Sequence, residues 1–132
     1  MKMTDIPENV MAVMKDSTKV LVTASANGQP HAIVCGSIMA PAKDKVIVGE
    51  ILMKRAAENL KANGKAAILL CAGKASYEIA LKNPVRMDDG DMLAKMNEGL
   101  AKVGLKANAL WAFDVCAVFD ESAGPNAGKK IA

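Results

Sequence analysis

The stretch that most restricts the fold is KVIVGEILMKRAAENLKANGKAAILLCA, Lys45 to Ala72. Lys45–Gly49 is a short β-branched run that suits a strand. Met53–Asn63 has helical composition, and Gly64 is a natural helix stop. Lys65–Cys71 reads as a second, buried strand. The order is therefore strand, turn, helix, strand. Lys54 and Arg55 stand where the first strand hands over to the helix. The first turn of a helix leaves backbone N–H groups free, so two cations there make a candidate anion site, phosphate above all. Arg55 and Asn59 are four residues apart and share one helix face.

On the N-terminal side, Asp5–Lys15 reads as a helix. Asp5 is the expected cap, Glu8 has capping-box spacing, and Pro7 is tolerated in the first turn. Ile6, Val10, Val13 and Met14 form its apolar stripe. Val20–Ala26 is the first strand, Asn27-Gly28 a hairpin turn, and His31–Ala40 the second strand. Gly36 within it marks a bulge, or a close approach by another backbone or a ligand. With Lys45–Gly49 these strands read as a meander.

On the C-terminal side, Ser76–Lys82 is the fifth strand, broken or bent at Asn83-Pro84 and continued by Val85–Met87. Asp88–Val103 is a helix with acids at its start and Met92, Met96, Leu100 and Val103 on one face. Ala109–Phe119 is a long last strand. Alternation points Trp111, Phe113, Val115 and Phe119 to one side and Leu110, Ala112, Asp114, Cys116 and Val118 to the other. The expected organisation is one domain over residues 1–121 and a flexible tail over 122–132. The expected fold class is mainly β with α (α+β): six antiparallel strands in a small barrel. Apolar residues on both faces of several strands require cover by helices or another subunit.

Composition narrows the function. Of the 132 residues, 52% are hydrophobic and only 3% aromatic, with nine Met, and part of the apolar excess is available for a subunit interface. The net charge of +3 is spread among acids, and Lys129-Lys130 is too short for a nucleic-acid footprint. No apolar run approaches a membrane span of about 20 residues. MKMTDIPEN lacks a signal-peptide apolar region, so a cytoplasmic protein is expected. Cys35, Cys71 and Cys116 form no paired motif and read as small buried hydrophobes, a redox or ligand role being the alternative. A single His, His31, argues against a His-rich metal site. There is no phosphate-loop signature, no GxGxxG, no GxSxG and no HExxH.

Three features together resemble the FMN-binding split barrel of the pyridoxamine 5′-phosphate oxidase-like superfamily. One is the opening helix followed by VLVTASANGQPHAIVCGSIMA, similar to that family's strand–turn–strand hairpin. The second is VIVGEILMKRAAENLKANGKAAILL, where Arg55, Ala56, Asn59 and Leu60 fall at the places of an Arg-Thr-like pair and a following Asn-Leu. The third is ALWAFDVCAVFD, similar to a closing barrel strand. The resemblance covers Asp5 to Asp120. It implies a flavoprotein using FMN, with a small-molecule redox substrate or electron donor and a homodimer carrying the cofactor near its interface.

The resemblance assigns the phosphate to Lys54, Arg55 and the helix start, with Asn59 beside them. The ring falls to Ile33, Val34, Cys35, the Gly49–Glu50–Ile51 backbone and Trp111, the backbone near Gly36 is a further candidate phosphate contact, and Met53 completes the expected cofactor-binding set. The sequence departs from the family at Ala56, where a hydroxyl residue is usual, and at Val34–Gly36, where polar or basic contacts are common. Alternative readings accompany each residue. Arg55 and Lys54 also suit solvated surface charges, Asn59 a loop tether, Trp111 core or interface, and Glu50 a helix cap. Three functions follow: an FMN-dependent oxidoreductase or electron-transfer protein, a dimeric binding or sensor domain without turnover, and a relative that uses deazaflavin.

Overall fold

The computed structural model describes residues 3–132. The reading of MKMTDIPEN falls partly on Met1 and Lys2, which lie outside the described residues. The elements are α1 (Glu8–Met14), β1 (Thr18–Ala24), β2 (Pro30–Val34), β3 (Ile38–Ala42), β4 (Lys45–Gly49), α2 (Lys54–Ala62), β5 (Lys65–Ala72), β6 (Ala75–Met87), α3 (Asp91–Ala101), β7 (Leu110–Asp120) and β8 (Lys129–Lys130). Every strand pair is antiparallel, and the sheet runs β2-β1-β5-β6-β7-β4-β3, with β8 added to β7.

The class is mainly β with α, as expected, but the sheet has eight strands rather than six. The expected second strand, His31–Ala40, breaks at Cys35-Gly36-Ser37. Its first half pairs with β1 and its second half with β4. The meander therefore does not form: β2 and β3, successive in the chain, are the two ends of the sheet path. Four residue steps span at most about 14 Å, so this short link holds the two sheet edges close together at one corner. No ladder joins them, and the sheet curls without closing.

The main core fills the inside of that curl. Leu21, Ile68, Leu70, Ile79, Phe113 and Val115 meet there with Ile6, Val10 and Met14 from around α1 and with Ala56 and Leu60 of α2. Each such large side chain, fully buried, contributes about 1.5–3 kcal/mol. The α1 stripe is as expected in Val10 and Met14, but Asp5 is not its cap. The helix starts after Pro7 with no side-chain capping bond. α3 builds a second cluster of Ile47, Leu93, Ala107 and Leu110, with Met96 and Leu100 packed against it. Its inward stripe is thus Leu93, Met96 and Leu100, while Met92 and Val103 are exposed. Adjacent apolar residues at 92 and 93 made the phase of this stripe ambiguous.

β7 corrects a second expectation. Trp111, Phe113 and Val115 point inward as read, but Val118, not Phe119, is buried beyond them. The register against β6 shifts between Ala80 and Leu81, where Cys116 is the extra residue. A one-residue bulge exchanges the two faces of everything that follows. β6 runs through Asn83-Pro84 with a register shift and a positive φ of 55° at Asn83, a bend rather than a break. After Glu121 the chain returns as β8, and Ala132 packs on the main core.

Val20 and Val22 of β1 and Leu69 of β5 point away from the core and stay half-buried, and Val34 beside them is 74% exposed. Among the described residues no helix is long and apolar enough to cross a membrane.

Candidate functional site

The site grows from the turn between β4 and α2. Gly49 ends β4 under close constraint: a Cβ there would sit 2.5 Å from Met96 Sδ and 3.1 Å from Ser37 Cβ. Gly49 N–H donates to the Ser37 carbonyl at 2.8 Å, and Ser37 Oγ–H donates to the Gly49 carbonyl at 3.0 Å. On the other side of the link, Cys35 N–H donates to the Lys19 carbonyl at 2.9 Å. The corner where the sheet edges meet is thus fixed to both edges.

Glu50 anchors the turn to the rest of the sheet. Its backbone exchanges bonds with Ala109 and Asn108, at 2.9 and 3.1 Å. Its carboxylate accepts from Trp111 Nε1 at 2.8 Å and from Arg86 Nε and Nη2 at 3.1 and 3.0 Å. The Arg86 guanidinium, aided by the Trp111 N–H and by Lys61, holds the Glu50 carboxyl below its ordinary range against the opposing effect of burial. Glu50 therefore does not cap α2. Trp111, 3% exposed, belongs to the main core with its N–H satisfied by Glu50.

Two grooves meet at this turn. The larger, about 550 Å³, is lined by Ile33, Val34, Cys35, Gly36, Ser37, Ile51, Leu52, Leu100 and Leu105. It brings together four residues expected on the ring side, Ile33, Val34, Cys35 and Ile51, with Gly36, which was expected near the phosphate. The second, about 420 Å³, is lined by Glu50, Leu52, Met53, Lys54, Ala57, Glu58, Lys61 and Asn108. Leu52 stands on both. It is 95% exposed and holds a positive φ of 51°. An exposed leucine in a left-handed conformation is strained backbone at a candidate site.

α2 begins at this junction without a capping side chain and without an acid in its first turn. Arg55 is exposed but lines neither groove. Asn59 Nδ2 donates to Thr23 Oγ1 at 3.0 Å, tying α2 to β1. Ala56 is fully buried in the core, so a hydroxyl side chain at that position would face apolar neighbours. Gly49 acts through packing rather than as a groove wall.

Sequence reading missed Leu52, Ser37, Lys61, Leu100 and Leu105. Lys61 was legible in principle, since it lies seven residues after Lys54, two turns along the same helix. Leu100 comes from the last turn of α3 and Leu105 from the segment after it, half the chain away, and no local pattern connects them to β2. Among the described residues no group of three or more His, Cys, Asp or Glu is placed to hold a metal ion.

No protein-family model matches the sequence, and no curated protein matches it. Solved structures do match in shape. An FMN-binding protein from Syntrophomonas wolfei superposes with a TM-score of 0.73 at 13% identity, over 81% of this chain and 78% of that one. A provisionally named pyridoxamine 5′-phosphate oxidase from Lactobacillus delbrueckii gives 0.74 at 21% identity, over 90% and 99%. HutZ, the haem storage protein from Vibrio cholerae, gives 0.65 at 14% identity, over 90% and 97%. At these identities the likeness is one of fold. The chain has the fold of the pyridoxamine 5′-phosphate oxidase-like proteins, as the three sequence features indicated.

Proposed function

We propose that the protein binds FMN and uses it as a cytoplasmic oxidoreductase or electron-transfer protein. The observation that carries this is the junction at Leu52, where an apolar groove and a lysine-bearing groove share one wall. Such a pair suits a ligand with a flat apolar body and an anionic tail. Lys54, Lys61 and the uncapped first turn of α2 would hold the phosphate. Ile33–Gly36, Ile51 and Leu52 would hold the ring. Gly36 suits that role: a Cβ there would meet nothing within 4 Å, so the backbone is open to approach.

The flavin supplies hydride or electron transfer when bound. This chain's residues would orient it and keep water out. Leu100 and Leu105 form the far wall, and Glu50, clamped by Arg86 and Trp111, stiffens the turn that carries Leu52. The half-buried Val20, Val22 and Leu69 and the exposed Val34 would be covered by a second copy in a homodimer. A small redox substrate or electron donor would then reach the ring from the open side.

A second reading is a binding or sensor domain without turnover. The apolar groove favours it, because Cys35 and Ser37 are its only polar side chains and no general acid or base lines it. The ligand there would be FMN, a deazaflavin or haem. Titrating the purified protein with FMN, riboflavin, deazaflavin and haem separates these. The proposal expects FMN to bind about tenfold or more tighter than riboflavin, the difference one charge-assisted phosphate contact supplies. Lys54→Met should reduce that difference, and Lys54→Met with Lys61→Met should remove most of it, without unfolding the protein. Equal binding of FMN and riboflavin, or a preference for haem, overturns it.

A further inference from the structure

Where α1 ends against the β2–β3 corner, a separate recess of about 300 Å³ opens. Met11, Met14 and Met39 form its apolar walls, Gly36 lies at one side, and its charged residues are Lys15 and Lys19. No acidic residue lines it.

Lys19 is the unusual member. It lies on the inward face of β1, in line with Leu21 and Thr23, and is only 9% exposed. Burial of the aliphatic stem is ordinary for lysine. The ammonium has three donors, and among the described residues its one hydrogen-bond partner is the Ser17 carbonyl at 3.2 Å. Lys43, Lys45 and Arg86 pair with Glu8, Asp114 and Glu50, whereas among the described residues no carboxylate pairs with Lys15 or Lys19. The Met14 carbonyl at the end of α1 is already taken by Ser17 N–H and Oγ–H. An anion entering the recess would therefore meet two cations that have no carboxylate of their own to give up.

We propose that this recess binds a small organic anion, a carboxylate or phosphate joined to a compact apolar body. The head sits at Lys19 and Lys15, and the body lies against the three methionines. Gly36 also lines the apolar groove, so such a ligand would lie beside the flavin ring as substrate or effector. That placement rests on the FMN reading; the recess itself does not.

The test is calorimetric titration of flavin-free protein with 4-phenylbutyrate, its uncharged isostere 4-phenylbutanol, and phenyl phosphate. At low salt the acid should bind about tenfold or more tighter than the alcohol, as expected for a charge-assisted contact. Lys19→Met should remove that preference, Lys19→Arg should restore most of it, and Lys15→Met should reduce it. A stronger response to phenyl phosphate identifies a phosphate head, and a stronger response to the acid a carboxylate head. Equal binding of acid and alcohol, no binding of either anion, or full binding by K19M overturns the proposal. If circular dichroism shows K19M unfolded, the acid-to-alcohol ratio in the parent and in K15M decides. Anion binding with no FMN binding overturns the flavin reading alone; FMN binding with no anion preference overturns this one alone.

Discussion

Leu52→Gly should make the ligand-free protein more stable, although it deletes a large apolar side chain. Leu52 has a φ of 51° and is 95% exposed, so its side chain contributes almost no burial to the fold. A left-handed conformation costs a residue with a Cβ about 1–2 kcal/mol. Glycine removes that cost but adds about 0.5–1 kcal/mol of backbone entropy. The net is a gain of about 0.5–1 kcal/mol, a rise in Tm of about 2–5 °C for a domain of this size. Leu52→Asn, which tolerates the left-handed region, should move stability in the same direction by less. Denaturant melts of flavin-free protein at low concentration measure this, with the slope checked so that only the midpoint moves. FMN affinity should fall in the same variant by about fivefold, because part of a leucine contact worth about 1.5–3 kcal/mol is lost. A glycine variant less stable than the parent would refute the reasoning: Leu52 would then be packed in solution, or its backbone relaxed.

Glu50→Gln should cost about 1–3 kcal/mol, because Arg86 loses its bidentate carboxylate partner and the Trp111 N–H keeps only a neutral acceptor. Its pH signature is definite. The Glu50 carboxyl is held below its ordinary value of 4.5, so its contribution is complete above that pH and is lost as pH falls through the lower folded value. Melts from neutral to acid pH should show the E50Q deficit closing in that window; a deficit that stays constant refutes the linkage. Asn59→Ala should cost about 1–2 kcal/mol by leaving Thr23, 2% exposed, without its partner. FMN affinity should stay unchanged in that variant, and a weakening measured in protein shown to be folded would return Asn59 to the ligand.

Local patterns carried most of the fold. The Asn27-Gly28 turn, with Gly28 at a positive φ of 89°, joins β1 and β2 as its dipeptide implies. α2 runs Lys54–Ala62, one residue short at each end of the range read from composition. What stayed hidden depends on distant partners. The break at Cys35–Ser37 follows from β2 and β3 finding different neighbours, which no property of His31–Ala40 announces. The bulge at Cys116 is a property of the β6–β7 pair. Lys129-Lys130 pairs through backbone groups alone, and its side chains are polar. In the candidate site, the β2 residues and Lys54 lie on the grooves because strand and helix ends are local, while Arg55, next to Lys54 in sequence, lines neither. The clamp of Glu50 by Arg86 and Trp111 was not legible, since its members lie 36 and 61 residues apart.

The three-residue link between β2 and β3 also governs how the molecule moves. The sheet is stapled at one corner and has no ladder along the rest of that slit. Prising the slit apart sacrifices no interstrand hydrogen bond, whereas a gap between any other neighbouring pair of the path would break several. Opening of the slit would therefore pivot about this corner, which holds Gly36, the one residue common to the apolar groove and the lysine recess. Amide exchange at Cys35 and Gly49 would then report how firmly that pivot, shared by both cavities, is held.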